Sequence, residues 1–284
     1  MHAGPPKSLD DPGDDPSDTT GSVAEAAITP RGEPPGGVLF ARWASLRTPV
    51  GGIVVRAQPD GTMQADPVIV EVTLDTWPHW LEIAIVHMKV AGEAHKALVE
   101  AHESDDADTR NRALNDKFQA SMQANCASAF AVDALYGSLN DVSPISEATK
   151  DGWANNRTPR AGRILDAVHC VAKLSNAQAK SLRKALKTMF EFRNWAVHPP
   201  RDFRRPLLHP ILEVGVDWRF MVYREENARN AVSVATEVLM RTFAQPREQK
   251  AVLDWAMQQA PILQSLLAEN GITITDSEHR SATA

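Results

Sequence analysis

The sequence predicts a mainly α-helical fold with a small β-hairpin element near its N-terminal end, and three observations carry that reading. From Asp75 onward, apolar side chains recur at steps of three and four, the period of a helix packed on one face. Only residues 38–74 hold short β-branched runs broken by a turn signal. Residues 1–36 and 272–284 lack the apolar surface needed to offset ordering entropy, so both are expected to be disordered tails. The expected organisation is a β element over 37–75, packed on a helical domain over 76–271.

Taken in order, Val38-Leu39-Phe40 opens the β element. Ile53-Val54-Val55-Arg56 and Val68-Ile69-Val70-Glu71-Val72 flank Pro59-Asp60-Gly61, which reads as a hairpin turn. This element is too small for a core of its own, hence the expectation that it packs on the helices. A helix over 77–102 aligns Leu81, Ala84, Met88, Ala91, Leu98 and Val99. A second, over 106–136, aligns Leu114, Phe118, Met122, Cys126, Ala129 and Val132. Gly137, Pro144 and Gly152 mark a following loop. Thr158-Pro159 reads as a cap and an N1 proline, opening a helix with Ile164, Leu165, Val168 and Val171 inward. Ser175 with Gln178 forms a capping-box pattern for a helix running to about Val197. Pro206, Pro210 and Gly215 interrupt the period over 206–223, and helices resume over about 226–243 and 246–268.

Composition narrows the function classes. Of 284 residues, 43% are hydrophobic and 23% charged, ordinary for a globular chain. No run approaches the roughly 20 apolar residues of a membrane span. Residues 1–18 have no apolar segment of the kind a secretory signal needs. Cys126 and Cys170 are distant and outside any CxxC spacing, so they read as buried free thiols rather than a disulfide or zinc ligands. A reducing cytoplasm is the expected location.

The net charge of −6 conceals a segregation. Between Arg157 and Arg205 there are twelve basic residues against Asp166, Glu191 and Asp202, so that segment is +9 and the remainder −15. Such a field suits an anionic partner, nucleic acid first, unless acidic residues fold back to neutralise it.

One segment carries chemistry. In the helix from Ser175, the inward stripe of Ala179, Leu182, Leu186 and Met189 continues to Arg193, and a guanidinium on that face needs an anion or hydrogen-bond partners. Asn194 precedes His198 by four residues, and Pro199-Pro200 end the helix there, so His198 can swing toward Arg193. Two other Arg–His pairs are poorer: Arg163 and His169 point to different faces of one helix, and Arg204 and His209 lie in a proline-broken loop.

Arg193-Asn194-x3-His198 resembles the HEPN superfamily, helical bundles with an R-x4–6-H motif at a helix end, often with a polar residue after the Arg; the likeness spans roughly 76–268. It implies a metal-independent, cofactor-free endoribonuclease of the kind found in toxin–antitoxin and phage-defence systems. The site would be shared across a homodimer, with RNA as substrate and an antitoxin protein as a further partner. It equally allows a member without activity that serves as a binding module. In the catalytic reading His198 moves the proton of the attacking 2′-OH, as an imidazole titrating near neutrality can. Arg193 stabilises the phosphorane, and Asn194 orients either group. Lys187, Arg201, Arg204 and Arg205 would hold the flanking phosphates. Trp195 reads as packing rather than base stacking, and Tyr136 as a residue lining a cleft. In the bland alternative, Arg193 caps loop carbonyls and His198 merely closes the turn.

Overall fold

The computed structural model describes residues 42–143, 145–200 and 204–272. The Val38-Leu39-Phe40 run, residues 1–36 and 273–284 of the expected tails, and Arg201 lie outside them.

Four strands, β1 (Ala44–Arg47), β2 (Val55–Ala57), β3 (Met63–Ala65) and β4 (Glu71–Leu74), precede the helices. β1 pairs antiparallel with β4, Ala44 opposite Leu74, and β2 with β3, Val55 opposite Ala65. Between the two pairs, the Asp66 amide donates to Val54 O at 2.9 Å and the Ile69 amide to Gly52 O at 2.8 Å. The result is one long two-stranded ribbon. Its tip is the expected Pro59-Asp60-Gly61 turn, where Gly61 sits at φ +83°, a conformation that favours glycine. Asp60 closes the tip by accepting from the Thr62 amide and hydroxyl at 2.9 and 2.7 Å. β2, β3 and β4 are exposed along their length.

Helices build the rest: among the described residues there are eight. α1 (Trp77–Glu103) turns through Ser104 and Asp105 into α2 (Ala107–Val142), whose N-cap Asp106 accepts from the Thr109 amide at 3.0 Å. α2 runs past the expected end because Leu135 and Leu139 stay buried on its inner face, which carries Gly137 through without a break. α3 (Glu147–Asn155) occupies the segment expected as a loop, capped by Ser146 and holding Gly152 inside it. α4 (Arg160–Val171) starts one residue later than expected, with Pro159 as its N-cap rather than N1. α5 (Asn176–Val197) has the expected capping box: the Gln178 amide donates to Ser175 Oγ at 3.2 Å and the Ser175 amide to Gln178 Oε1 at 2.8 Å. A short pair, β5 (Leu207–Leu208) with β6 (Gly215–Val216), and α6 (Trp218–Val222) fill the proline-broken stretch. α7 (Glu225–Ala244) and α8 (Lys250–Glu269) complete the bundle.

The core is where α1, α2, α4, α5, α7 and α8 meet, around Ile85, Leu135, Leu165, Leu186, Leu239 and Leu266. Along the first half of α2 the deepest face is rotated from the expected stripe. Leu114, Phe118, Met122 and Cys126 are half-buried, whereas Ala113, Lys117, Ser121, Ala124 and Asn125 are buried. Small residues there let α1 and α7 approach closely, so the strongest apolar side chains flank the contact rather than fill it. A polar network ties three helices at one end: Gln259 donates to Asp75 at 2.9 Å, Trp77 donates to Gln259 at 3.0 Å, and Ser138 donates to Asp75. The ribbon is fastened at its base, where Arg42 pairs with Glu82 and Glu269, and Trp43 stands edge-on to His79. No helix among the described residues is long and apolar enough to cross a membrane.

Candidate functional site

Leu182, Leu186, Met189 and Phe190 pin α5 into the core. Arg193, the next step on that stripe, sits where the helix rises out of the bundle, its side chain 24% exposed. The anion it requires is Asp133: Arg193 Nη2 donates to Asp133 Oδ2 at 3.2 Å, and Nη1 donates to Asn194 Oδ1 at 3.1 Å. The guanidinium stands over the Phe190 and Phe130 rings, 5.4 and 5.9 Å from their centroids. Asp133 also accepts from Arg160 Nε through Oδ1 at 2.7 Å, so one carboxylate is divided between two guanidiniums. Arg160 in turn lies over the Tyr136 ring at 4.1 Å.

These partners arise from spacing on α2. Cys126, Phe130, Asp133 and Tyr136 follow one another at steps of four and three and so share a face. Burial pushes the Cys126 thiol up, and the nearby Arg193 charge partly offsets that shift. The sequence pointed to Tyr136 but missed Asp133 and Arg160. The signal available was a carboxylate interrupting an otherwise apolar helical face.

His198 is the C-cap of α5. Its amide donates to Asn194 O at 2.7 Å while its φ of −125° and ψ of 66° take the chain out of the helix. The imidazole is exposed and makes no hydrogen bond among the described residues. The structure thus joins Arg193 to Asn194 and leaves the His198 ring bonded to neither. α6 holds the exit. Tyr223 Oη donates to Phe192 O at 2.7 Å, its hydroxyl pushed up by burial, and Arg219 donates to Pro200 O at 3.2 Å. Trp195 packs edge-on against Trp218 with ring centroids 5.4 Å apart, an interior role rather than an open stacking platform.

Comparison of the chain with protein-family models, curated proteins and solved structures gives no match. The site therefore stands on its own residues.

The basic segment is only partly neutralised. Arg160 and Arg193 share Asp133, Arg183 pairs with Asp166, and Lys173 pairs with Glu248. Lys180, Lys184, Lys187, Arg204 and Arg205 are exposed and make no salt bridge among the described residues. Arg204 lies over the Trp218 ring at 4.8 Å. A groove of about 410 Å³ runs beside α5, between it and α7 over the floor of α2. Lys184, Thr188 and Phe192 form one wall, Asn227 and Asn230 the other, and nothing in the sequence had singled it out.

Of the two poorer Arg–His pairs, Arg163 donates to Thr158 O at 2.9 Å while His169 is exposed at the end of α4. Arg204 and His209 are separated by burial, His209 being 2% exposed. Both cysteines are free, but Cys170 is exposed and Cys126 half-buried, which corrects the expectation of two buried thiols.

Proposed function

We propose that this chain is an endoribonuclease that cleaves RNA by attack of the 2′-OH, with His198 as proton-transfer group, Arg193 as phosphate ligand and no metal in the step. The observation that carries the reading is an exposed imidazole at the end of α5, without a hydrogen bond among the described residues, one to two turns beyond a partly buried guanidinium held by Asn194 and Asp133. His198 takes the 2′-OH proton as that oxygen forms its bond to phosphorus. The phosphorane charge falls to Arg193, and the 5′-oxygen leaves with a proton, giving a cyclic phosphate end. Lys187, Arg204 and Arg205, with Arg201, supply charge for the flanking backbone. A second copy of the chain would set another Arg193–His198 pair beside the first. An RNA-cleaving effector of this kind calls for a neutralising antitoxin protein.

Asp133 favours a second reading. It already occupies the Arg193 guanidinium, as a purely structural ion pair would. In that reading the bundle is a non-catalytic module binding a protein or nucleic acid.

Incubating wild type and His198→Ala with mixed RNA in EDTA decides between them. Cleavage that survives EDTA and vanishes in His198→Ala supports the nuclease. Cleavage abolished by EDTA overturns it. Binding without cleavage, unchanged by His198→Ala, supports the module.

A further inference from the structure

A second cluster of titratable groups lies away from the end of α5. Lys117 of α2 is 2% exposed, as is His209 of the stretch between β5 and β6, and Lys117 Nζ lies 3.1 Å from His209 Nε2. The two sit in a cavity of about 50 Å³, also lined by His95, Phe220, Arg224 and Glu225. That is space for a molecule of a few heavy atoms.

The hydrogen bonds fix the protons. His209 Nδ1 accepts from the Ile211 and Leu212 amides at 3.3 and 3.2 Å. Nδ1 therefore carries no proton, and the neutral ring bears its hydrogen on Nε2. Nε2–H can only donate, so the Lys117 nitrogen facing it must accept, which an amine can do and an ammonium cannot. Burial first, and then the Arg224 charge, bring Lys117 down to about 8, so amine is abundant at mildly alkaline pH, where an ordinary lysine is almost wholly ammonium. Arg224 and Glu226 also line this cavity; Arg224 Nε is buried with no hydrogen-bond partner among the described residues, while Arg224 Nη2 pairs with Glu226 at 3.1 Å. Glu225 is engaged by Arg229.

We propose that Lys117 is a carbamate site, where its amine adds carbon dioxide and the resulting anion is held by Arg224. The two features ask for one ligand: a small electrophile that meets a neutral amine and becomes an anion beside an orphaned guanidinium N–H. Carbon dioxide does this. The Nζ lone pair gives up its hydrogen bond from His209 Nε2–H and forms the C–N bond, one C=O π pair moves onto oxygen, and one Nζ proton passes to a solvent base. A small aldehyde would give an imine with no negative charge for Arg224.

The test uses the full-length wild type at pH about 8 with isotopically labelled bicarbonate. Carbamates are trapped by O-alkylation and located by peptide mass spectrometry, with exposed Lys184 and Lys187 as internal controls. Trapped label on Lys117 about tenfold above those exposed controls is expected, because the amine share at Lys117 far exceeds that of an ordinary lysine. The preference should disappear when the same protein is labelled in denaturant. Lys117→Met should lose the Lys117 label alone. Label absent from Lys117, or spread evenly over the three lysines, overturns the proposal, as does an NMR titration placing Lys117 at the ordinary lysine value. The wild-type map stands even if Lys117→Met fails to fold.

Discussion

The end of α5 and the cavity beside Lys117 hold similar side chains in opposite settings. Each gathers a histidine, a basic side chain and a carboxylate: His198, Arg193 and Asp133 in one, His209, Lys117 and Glu225 in the other. At the end of α5 the imidazole is in water and the guanidinium is paired across the surface of the bundle. Beside Lys117, both nitrogens of the imidazole are engaged, and burial moves both titrating groups toward their neutral forms. A cluster open to water can meet a polymeric anion such as RNA, although Arg193 must exchange Asp133 for it. A buried, neutral amine can receive only a small uncharged molecule. Solvent access, more than residue identity, separates the two chemistries.

The contrast can be broken from either side. The largest expected effect is on the exposed histidine: His198→Ala should lower RNA cleavage by roughly a hundredfold or more without shifting the melting temperature, read in EDTA beside thermal denaturation. Retained cleavage would remove the imidazole from the reaction.

The buried histidine should reveal itself through stability instead. Burial, and then the Lys117 charge with His95 beyond it, lower His209 from 6.5 to about 4. Between those values the unfolded chain binds a proton on His209 that the folded chain does not. Stability is therefore fully present above pH 6.5 and is lost as pH falls toward 4, by up to about 3 kcal/mol. Urea melts across that window should show the slope, and His209→Gln should flatten it. Lys117 obeys the same sign at higher pH, stability rising between about 8 and 10.5.

Asp133→Asn tests the paired state of the exposed cluster. It leaves Arg160 and Arg193 sharing an uncharged partner, at an expected cost of about 1–2 kcal/mol in denaturant melts. It should also tighten RNA binding at low salt, because the guanidiniums lose their internal anion. Looser binding would show that Asp133 positions Arg193 rather than competing for it. The smallest effect is expected for Lys187→Ala: unchanged melting, binding weakened a few-fold whatever the RNA sequence, and a salt slope reduced by about one.

Much of the architecture was legible in the chain because it is written in local terms. The capping box at Ser175, the helix end before Pro199-Pro200 and the turn at Gly61 are each set within a few residues, by a side-chain cap, a missing amide or a φ that favours glycine. The requirement that Arg193 meet an anion was legible too, since a guanidinium on the inward stripe cannot stand alone. Reading Gly137 and Gly152 as loop residues failed because neighbouring core contacts outweigh a glycine's modest helix penalty. Lys117 escaped notice for a related reason. One lysine in a helix reads as solvent-facing, and only the packing of α1, α2 and α7 turned that position inward.

The sequence by itself determined where α1, α4, α5, α7 and α8 lie, where α5 stops, and that a cation and an imidazole stand at its end, because each depends on bonds made within a few residues. Only the tertiary structure decided that Asp133, 60 positions away, would be the partner of Arg193, and that His209, 92 positions from Lys117, would strip its solvent. Those pairings follow from how whole helices settle against one another to bury apolar surface, a competition among distant faces that no local pattern records.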